Sequence, residues 1–379
     1  MSIQSPLPTR PRKPRVIRQL ITFIAIAMIW QHAGASDSGT PDWLFNGFGT
    51  LGLVHSNDDQ ADFVSNPAQP KGAGFTDSWS ATPDTKLGIQ LTAFLTDQLS
   101  AVVQVMSQYQ YDGTFRPDLE WANVKYQVTP DLSVRVGRIA SPTFMVSDSL
   151  NVGYALPFAR IPLEVYAQLP VAHSDGIDGS YRIHIGAVTN TLQVFLGSFK
   201  SRLPDDGSYD IHDLQGIVDT IDYGAATLHF SYQTVLYDLS FQGLVLHRDP
   251  QQIATIGAGY DPGKWFVSGE LIRAPDDAFG LFYGGYVNAG YRFGKVTPYL
   301  GYARTDMSHA GSLGFPPFIA QHTSTLGVRW DFAKNFDFKA QLDHTVRQGG
   351  FNQYFVNQQP GFQETGTVEI FTLLIDFVF

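Results

Sequence analysis

Residues 85–109 read TKLGIQLTAFLTDQLSAVVQVMSQY and have the pattern of two strands joined by a tight turn. Side chains of a strand point alternately to the two faces of its sheet. In the first strand, apolar residues take every second position from 87 to 95, while Lys, Gly, Gln and Thr take positions 86 to 92 between them. After the turn at residues 96–98 the alternation resumes. The stretch predicts a hairpin with one apolar and one polar face.

This pattern repeats from Trp43 to the end of the chain, in segments of about ten residues. Tight turns are predicted near residues 96–98, 129–131, 189–190, 223–224, 261–263, 294–295 and 333–335. Longer polar loops are predicted near residues 56–83, 112–118, 141–176, 201–211, 234–251, 274–280, 306–321 and 348–364. Short turns at one rim and long loops at the other predict an all-β fold, a closed antiparallel transmembrane β-barrel of about sixteen strands. Its short turns would be periplasmic and its long loops extracellular.

The last fourteen residues, GTVEIFTLLIDFVF, form an apolar strand that ends on Phe379. Its apolar side chains at alternate positions from 371 to 379 would face lipid, while Thr372 and Asp376 face inward. Pairing of this strand with the first strand would close the barrel and satisfy both edges. The alternative is a soluble β-sandwich that buries the strand, but sandwiches rarely keep one rim of short turns over so long a chain.

Aromatic residues cluster beside the predicted short turns. Rings prefer the level where hydrocarbon meets water, so such a cluster predicts a girdle at one membrane interface. The predicted girdle residues are Tyr260, Trp265, Tyr291, Phe293, Trp330, Phe332, Phe336, Phe377 and Phe379.

The N-terminus has the pattern of a secretory signal peptide. Five basic residues occur in residues 10–18, an apolar run follows from Leu20 to Trp30, and Ala33 and Ala35 form an A-x-A cleavage site. The run is shorter than the roughly 20 residues of a membrane-spanning helix, which disfavours the alternative of an uncleaved anchor. We therefore predict a signal peptide over residues 1–35 and a barrel domain over residues 36–379.

Composition excludes several functional classes. Removing the five basic residues of the leader leaves 20 Lys and Arg against 35 Asp and Glu, a net charge of −15, which disfavours nucleic acid as a partner. The chain has no cysteine, and its ten histidines form no H-E-x-x-H pair. Gly47, Gly49 and Gly52 match a dinucleotide fingerprint in spacing, but no crossover helix follows them. We predict no metal, no cofactor and no catalytic residues.

Residues 132–182, LSVRVGRIASPTFMVSDSLNVGYALPFARIPLEVYAQLPVAHSDGIDGSYR, resemble a segment of proteobacterial porins of uncharacterised selectivity. In architecture the chain from residue 36 resembles Gram-negative outer-membrane porins of the sixteen-stranded trimeric type. The resemblance implies export through the periplasm, a homotrimer, and contacts with outer-membrane lipid and lipopolysaccharide. It also implies that the barrel-assembly machinery reads the terminal strand with Phe377 and Phe379. The constriction motif PEFGG of enterobacterial porins is absent.

The loop at residues 141–176 follows the fifth predicted strand, which in porins is the position of the loop that folds into the lumen. Four prolines stiffen it, and it carries apolar residues that an exterior loop would not need. These residues are Pro142, Pro157, Pro162, Pro170, Phe144, Tyr154, Phe158, Val165 and Tyr166. We predict that this loop constricts the lumen; the alternatives are a lid over the mouth or a contact between subunits.

Charged residues define the predicted constriction. The acids of the loop and the strand after it are Asp148, Glu164, Asp175 and Asp178. Alternation places seven bases on the inner wall, namely Lys86, Lys125, Arg135, Arg182, Arg292, Arg329 and Lys339. Opposed charges across a narrow opening would create a transverse field that sorts solutes by charge. The alternative is that each is a solvated charge on a wet wall, although charge on the lipid face would cost roughly 2–4 kcal/mol at mid-bilayer.

The predicted function is passive diffusion of small hydrophilic solutes through a water-filled channel, without catalysis. Two alternatives stay open at this point. One is a solute-specific channel, for which the inward bases favour anions. The other is an outer-membrane barrel enzyme such as a phospholipase or protease, for which the sequence offers no G-x-S-x-G elbow or Ser/His/Asp grouping.

Overall fold

The computed structural model describes residues 42–166, 171–241, 243–312, 320–350 and 352–379. The predicted signal peptide, with Ala33 and Ala35, lies outside the described residues. Sixteen long strands occupy most of the remainder. They are β1 Asp42–Ser56, β2 Lys86–Phe94, β3 Leu99–Gln108, β4 Pro117–Gln127, β5 Leu132–Ala140, β6 His173–Ile185, β7 Val188–Leu203, β8 Gly207–Tyr223, β9 Ala226–Phe241, β10 Leu244–Tyr260, β11 Trp265–Asp276, β12 Gly280–Tyr291, β13 Val296–Ala310, β14 Gln321–Ala333, β15 Phe336–Gln348 and β16 Thr365–Val378.

These strands form one closed antiparallel sheet. Each strand pairs with the next along the chain, and β16 returns to pair with β1, where Thr50 lies opposite Asp376. On its other edge β1 pairs with β2, so every long strand has two neighbours. The predicted all-β barrel of sixteen strands is confirmed.

Side-chain exposure follows the predicted alternation. Outward apolar residues are bare, for example Leu326 at 65% exposure, because lipid and not protein would cover them. On β16, Ile375 is exposed while its neighbour Asp376 is fully buried inside the barrel. The terminal strand can therefore be apolar on its outer face, because its backbone is paired on both sides by β15 and β1.

The aromatic girdle lies at the rim of short turns, as predicted. Neighbouring rings touch in a continuous row along the outer wall. That row runs through Phe45, Phe379, Phe377, Phe336, Phe332 and Trp330. Six of the seven predicted turns fall where expected. The turn predicted at residues 189–190 is instead at residues 186–187, where Gly186 takes the positive φ that a two-residue hairpin requires.

Two predicted loops are wrong. Strands β7 to β10 run for 16 to 17 residues, so most of the predicted loops 201–211 and 234–251 is strand. The register shifts between Gly197 and Phe199, and similar irregularities interrupt the β8 and β9 pairings. The extra residues belong to β8 and β10, where they move the following side chains to the opposite face and hide the strand from a period-two reading. Beyond the bulges, inward apolar side chains such as Phe199 and Tyr237 are buried inside the barrel.

At the long-loop rim, the first and last loops pair with each other. Short strands Asp62–Phe63, Ala73–Gly74 and Phe355–Val356 form a three-stranded sheet. The hydroxyl of Tyr354 donates to the carbonyl of Leu163 at 2.7 Å, which fixes this sheet to the loop between β5 and β6. The described part of that loop, residues 141–166 and 171–172, is called the lumenal loop and forms the candidate functional site.

Candidate functional site

The lumenal loop lies inside the barrel, as predicted. Thr143 donates its hydroxyl proton to Gln233 on β9 at 3.0 Å, and the amide of Met145 donates to Glu270 on β11 at 3.0 Å. Across the lumen, the side-chain amide of Asn151 donates to a carboxylate on β4 at 3.2 Å. Contacts with opposite walls mean that the loop crosses the lumen instead of covering the mouth.

Apolar residues of the loop form a core with one side of the inner wall. The rings of Phe144 and Tyr166 lie 4.5 Å apart, and both pack with inward residues of β7 to β13. The hydroxyl of Tyr166 donates to Glu270 at 2.8 Å. Burying these apolar groups anchors the loop, since each fully buried large side chain contributes about 1.5–3 kcal/mol.

Basic residues of the opposite wall hold the backbone of the loop. Lys339 is fully buried, and its ammonium donates to the carbonyl of Gly153 at 2.7 Å and to Asp376 at 2.8 Å. Arg329 donates to the carbonyls of Tyr154 at 2.8 Å and residue 156 at 3.0 Å. A Cβ on Gly153 would lie 2.1 Å from the Asp376 carboxylate, so the close approach requires glycine.

One basic residue of the loop, Arg160, forms ion pairs with acids of the barrel. Arg160 donates to Asp84 at 2.7 Å, to Asp343 at 2.8 Å and to Thr372 at 2.6 Å. All three charged side chains are at most 8% exposed. We call Arg160, Asp84 and Asp343, together with Lys339 and Asp376, the charged clasp.

The sequence prediction missed Arg160 and the acids of the charged clasp. A usable signal existed for the acids, because Asp343 shares the inward parity of Lys339, and Asp376 was already predicted to point inward. No local pattern indicates Arg160, since its partner Asp343 lies 183 residues away in the chain. The prediction had acids on the loop facing bases on the wall. At the charged clasp, the loop instead contributes the base Arg160, which pairs with the acids Asp84 and Asp343.

Glu164 does not face an inward base. It is buried on the short helix Leu163–Tyr166, where it accepts a hydrogen bond from Gln321 at 2.9 Å and another from Thr323. Burial raises the pKa of Glu164 above its ordinary value. The acid therefore fastens the loop to β14 and does not line the opening.

Two other predicted loop acids lie on strand β6, which begins at His173. Asp178 points inward and accepts two hydrogen bonds from Arg135 at 2.9 and 2.5 Å, which pairs a predicted acid with a predicted base. The inward orientation predicted for Asp175 is wrong. Asp175 shares the outward face of Ile177 and pairs with Arg138 at 2.8 Å on the outer wall. The predicted loop ended too late, so strand alternation was not applied to Asp175.

The remaining predicted residues fall into three groups. Lys86, Lys125 and Arg182 lie on the inner wall, and no carboxylate of the described residues is within ion-pair distance of them. Asp148 is exposed on the loop, where its negative charge attracts the guanidinium group of Arg135. Arg292 lies at the short-turn rim.

Arg292 pairs with a residue of the neighbouring short turn and not across the lumen. It donates to both carboxylate oxygens of Asp261 at 2.7 Å. These hydrogen bonds hold the pKa of Asp261 below its ordinary value. The structure therefore assembles part of the predicted charge set and distributes the rest over the inner wall and rim.

Comparison with known sequences finds no match, either to protein-family models or to curated proteins. Comparison of structures is informative. The anion-selective porin of Comamonas acidovorans superposes with a TM-score of 0.60 at 15% identity, over 89% of this chain and 100% of that porin. The outer membrane channel DcaP of Acinetobacter baumannii gives 0.59 at 12% identity, over 92% and 100%. Salmonella typhi OmpF gives 0.58 at 13% identity, over 89% and 97%. The chain has the porin fold.

Other kinds of site find no support within the described part of this porin barrel. No group of three or more His, Asp or Glu side chains there is placed to hold a metal ion. The described helices are too short or too polar to cross a membrane. The lumen, with its loop and its charges, is the candidate site.

Replacing Arg160 with Gln is expected to loosen the lumenal loop without unfolding the porin barrel. The loop would lose its ion pairs to Asp84 and Asp343, while its apolar anchor and Lys339 remain. Single-channel recordings should then show greater open-channel noise and closures at lower voltage than the wild type. Arg292→Gln, which breaks an ion pair of similar length at the rim, is the matched control. Equal noise in the two variants would contradict a role for Arg160 in holding the loop.

Proposed function

We propose that this porin barrel is a passive channel of a Gram-negative outer membrane, which admits small hydrophilic solutes down their gradients. The observation that carries the proposal is a closed wall, apolar outside and polar inside, crossed by a loop fixed at both sides of the lumen. Such a wall separates hydrocarbon from water, and the loop reduces the opening through which solutes pass.

The lumenal cavity supports this proposal. A space of about 170 Å³ lies between the loop and strands β1 to β3. Lys86, Gln108, Asn151 and Arg160 contribute polar groups to its lining. Polar groups on both sides can form hydrogen bonds with a solute that has lost part of its hydration shell. This lining favours the passage of hydrophilic solutes.

The cellular setting is part of the proposal. Residues 1–35 would direct export through the periplasm, and Phe377 and Phe379 would be read by the barrel-assembly machinery. Lipopolysaccharide and lipid would cover the outer wall, and three copies would form a homotrimer. These elements come from the sequence resemblance to porins, and the porin fold is consistent with them.

Planar-bilayer recordings test the channel directly. Purified protein should insert in discrete steps, each adding an ohmic conductance. A barrel enzyme would instead hydrolyse phospholipid or peptide, with turnover abolished by a single Ser or Asp substitution. Conductance steps without hydrolysis would support the channel. Hydrolysis without conductance steps would contradict it and would favour a barrel enzyme.

A second, finer candidate is a preference for anions. Lys125, Arg135 and Arg182 lie on neighbouring strands β4 to β6, and only Arg135 has a carboxylate partner, Asp178. On the opposite side Lys339 and Arg160 face the three acids of the charged clasp, Asp84, Asp343 and Asp376. Lys125 and Arg182 therefore leave unpaired positive charge on the β4 to β6 side of the lumen, which would attract anions to that side of the opening.

We expect the reversal potential in a KCl gradient to have the sign of a chloride-selective pore. Replacing both Lys125 and Arg182 with Gln should lower the chloride-to-potassium permeability ratio at least twofold. Lys264→Gln, at a short turn outside the lumen, is the control and should leave the ratio unchanged. A wild-type pore that prefers potassium would contradict the anion preference but not the channel.

A further inference from the structure

Two acids lie together inside the barrel at the long-loop end of β10 and β11. Asp249 is the register partner of Tyr237 on β9, and Asp276 is the last residue of β11. Side chains of register partners lie on the same face of a sheet, so Asp249 points inward with Tyr237. Asp276 has the inward parity of Ile272 and is 8% exposed, while Tyr237 is 2% exposed. The two acids therefore meet beside a buried phenol.

The phenol of Tyr237 contacts both acids. Its hydroxyl lies 2.8 Å from Asp276 Oδ2 and 3.2 Å from Asp249 Oδ2. The backbone amide of Ala278 is also close to both, at 3.0 Å from Asp276 and 3.2 Å from Asp249. A hydroxyl has a single proton, so it donates to only one of two acceptors. The second contact is a hydrogen bond only if the other acid carries a proton and donates it to the phenol oxygen.

No base compensates these two acids. Among the described residues, neither Asp249 nor Asp276 forms an ion pair with Lys, Arg or His. Tyr209 of β8, whose ring lies 5.3 Å from that of Tyr237, is the other titratable group that faces them. The remaining charged groups of the neighbouring strands lie on the outer face or in the exposed turn; they are Asp210, His212, Asp213, Asp238, His247, Arg248, Arg273, Asp277, Arg304 and Asp306. Ionisation of both acids would therefore place two like charges together without a counter-charge.

The height of the pair follows from the strand geometry. Asp276 is eleven residues from Trp265, which belongs to the girdle at the short-turn rim. Eleven residues at about 3.3 Å each, along a strand tilted by about 40°, rise about 28 Å, which exceeds the apolar band of about 25 Å. The pH of the solution on the long-loop side therefore sets the protonation of the pair. Burial raises the pKa of Asp276 to about 6, and the negative charge of Asp249 acts in the same direction.

We propose that Tyr237, Asp249 and Asp276 form a pH-sensitive acid latch, which is closed when the two acids share one proton. With that proton, a chain of hydrogen bonds runs from one acid through the phenol to the other and joins β9, β10 and β11. Without it, two negative charges lie beside the apolar cluster that contains Tyr237, and the ends of these strands separate.

The direction of the pH dependence follows from the raised pKa. The folded chain binds the proton more tightly than the unfolded chain does, so protonation stabilises the folded end of the barrel. The contribution of the acid latch is complete below about pH 4, the ordinary pKa of an aspartic acid. It is lost as the pH rises through about 6.

Amide hydrogen exchange of the detergent-purified protein, measured by mass spectrometry, tests the acid latch. Exchange is recorded at pH 5 and pH 8, and each rate is divided by the intrinsic rate at that pH. We expect the protection of residues 244–256 and 270–283 to be about tenfold lower at pH 8, the change that one proton with a pKa of about 6 produces. Residues 99–108 of β3 are the internal reference and should show no such change. Equal protection of the first two segments at both pH values would overturn the proposal.

Replacing Asp249 with Asn separates the shared proton from other causes. The amide of Asn donates a hydrogen bond to the phenol at any pH, so protection at pH 8 should stay at its pH 5 level. Asp276→Asn makes the same change on the other acid and should behave alike. Asp277→Asn, which removes an exposed acid of the same turn, is the control and should keep the tenfold change.

Two outcomes of these measurements would overturn the shared proton. One is a pH-dependent loss of protection that persists in both Asn variants of the acid latch. The other is a wild-type protection at pH 8 that added Ca²⁺ raises to the pH 5 level, since a cation would then hold the two acids together. Heat-modifiable migration on gels confirms that each variant is folded.

Discussion

Deletion of residues 150–168 is expected to raise the single-channel conductance several-fold. The deletion removes Gly153, Arg160, Glu164 and Tyr166, which join the lumenal loop to both sides of the inner wall. The strands themselves keep all their backbone pairing, so the barrel should still close. Loss of material from the narrowest part of a water-filled pore increases its cross-section and its ion current.

The control for this deletion is a shorter one at the long-loop rim. Removing residues 110–114 shortens the turn between β3 and β4, where the rings of Tyr109 and Phe115 lie 5.5 Å apart and bring the new ends together. Its conductance should match that of the wild type. If the deletion of 150–168 also left the conductance unchanged in folded protein, the lumenal loop would not narrow the pore.

Replacing Lys339 with Met is expected to lower the free energy of unfolding by about 3–5 kcal/mol, the usual cost of removing one partner from a buried ion pair. Lys339 and Asp376 are both fully buried, and Asp376 would keep its charge without the ammonium group. The carbonyl of Gly153 would lose its donor as well. Denaturant titration in lipid vesicles, followed by gel mobility, measures the change.

Two further variants make the test of Lys339 specific. Lys125→Met removes a lumen-facing base that has no carboxylate partner, so its effect should stay within about 0.5 kcal/mol. Replacing Lys339 with Met and Asp376 with Leu together should recover part of the stability, because the acid closest to Lys339 is removed with it and Asp337 keeps its ion pair with Arg329 at 3.1 Å. An equal loss from Lys339→Met and Lys125→Met would contradict the structural role assigned to the buried pair.

Alternation alone was sufficient to predict the barrel, because lipid and water select opposite residue types at successive positions of each strand. The same rule failed where the backbone departs from a regular strand. Bulges in β8 and β10 interrupt the alternation, and the long-loop ends of β7 and β9 have apolar instead of polar inward residues, so loops were predicted at 201–211 and 234–251. The prediction for Asp175 failed for a related reason, since strand β6 begins at His173, inside the predicted loop.

The charged clasp could not be predicted from local sequence patterns. Its pairs join residues separated by 37 to 183 positions, and only closure of the barrel brings β15, β16 and the loop together. The sequence did predict which side chains point inward, including Lys339 and Arg329. It did not predict that Arg329 and Lys339 pair with acids of the same wall, namely Asp337 and Asp376, so the transverse field across the lumen stays a prediction.

Accessibility of single cysteines to a membrane-impermeant thiol reagent tests the central claim most directly. The chain contains no cysteine, so Lys125→Cys and Val124→Cys each introduce one reactive group without background. Position 125 faces the lumen and position 124 faces outward at 45% exposure. If the interior of the barrel carries the solute, the reagent will reduce the current through the Lys125→Cys channel and leave the Val124→Cys channel unchanged. Equal block of the two channels, or no block of the Lys125→Cys channel despite complete labelling, would contradict the account.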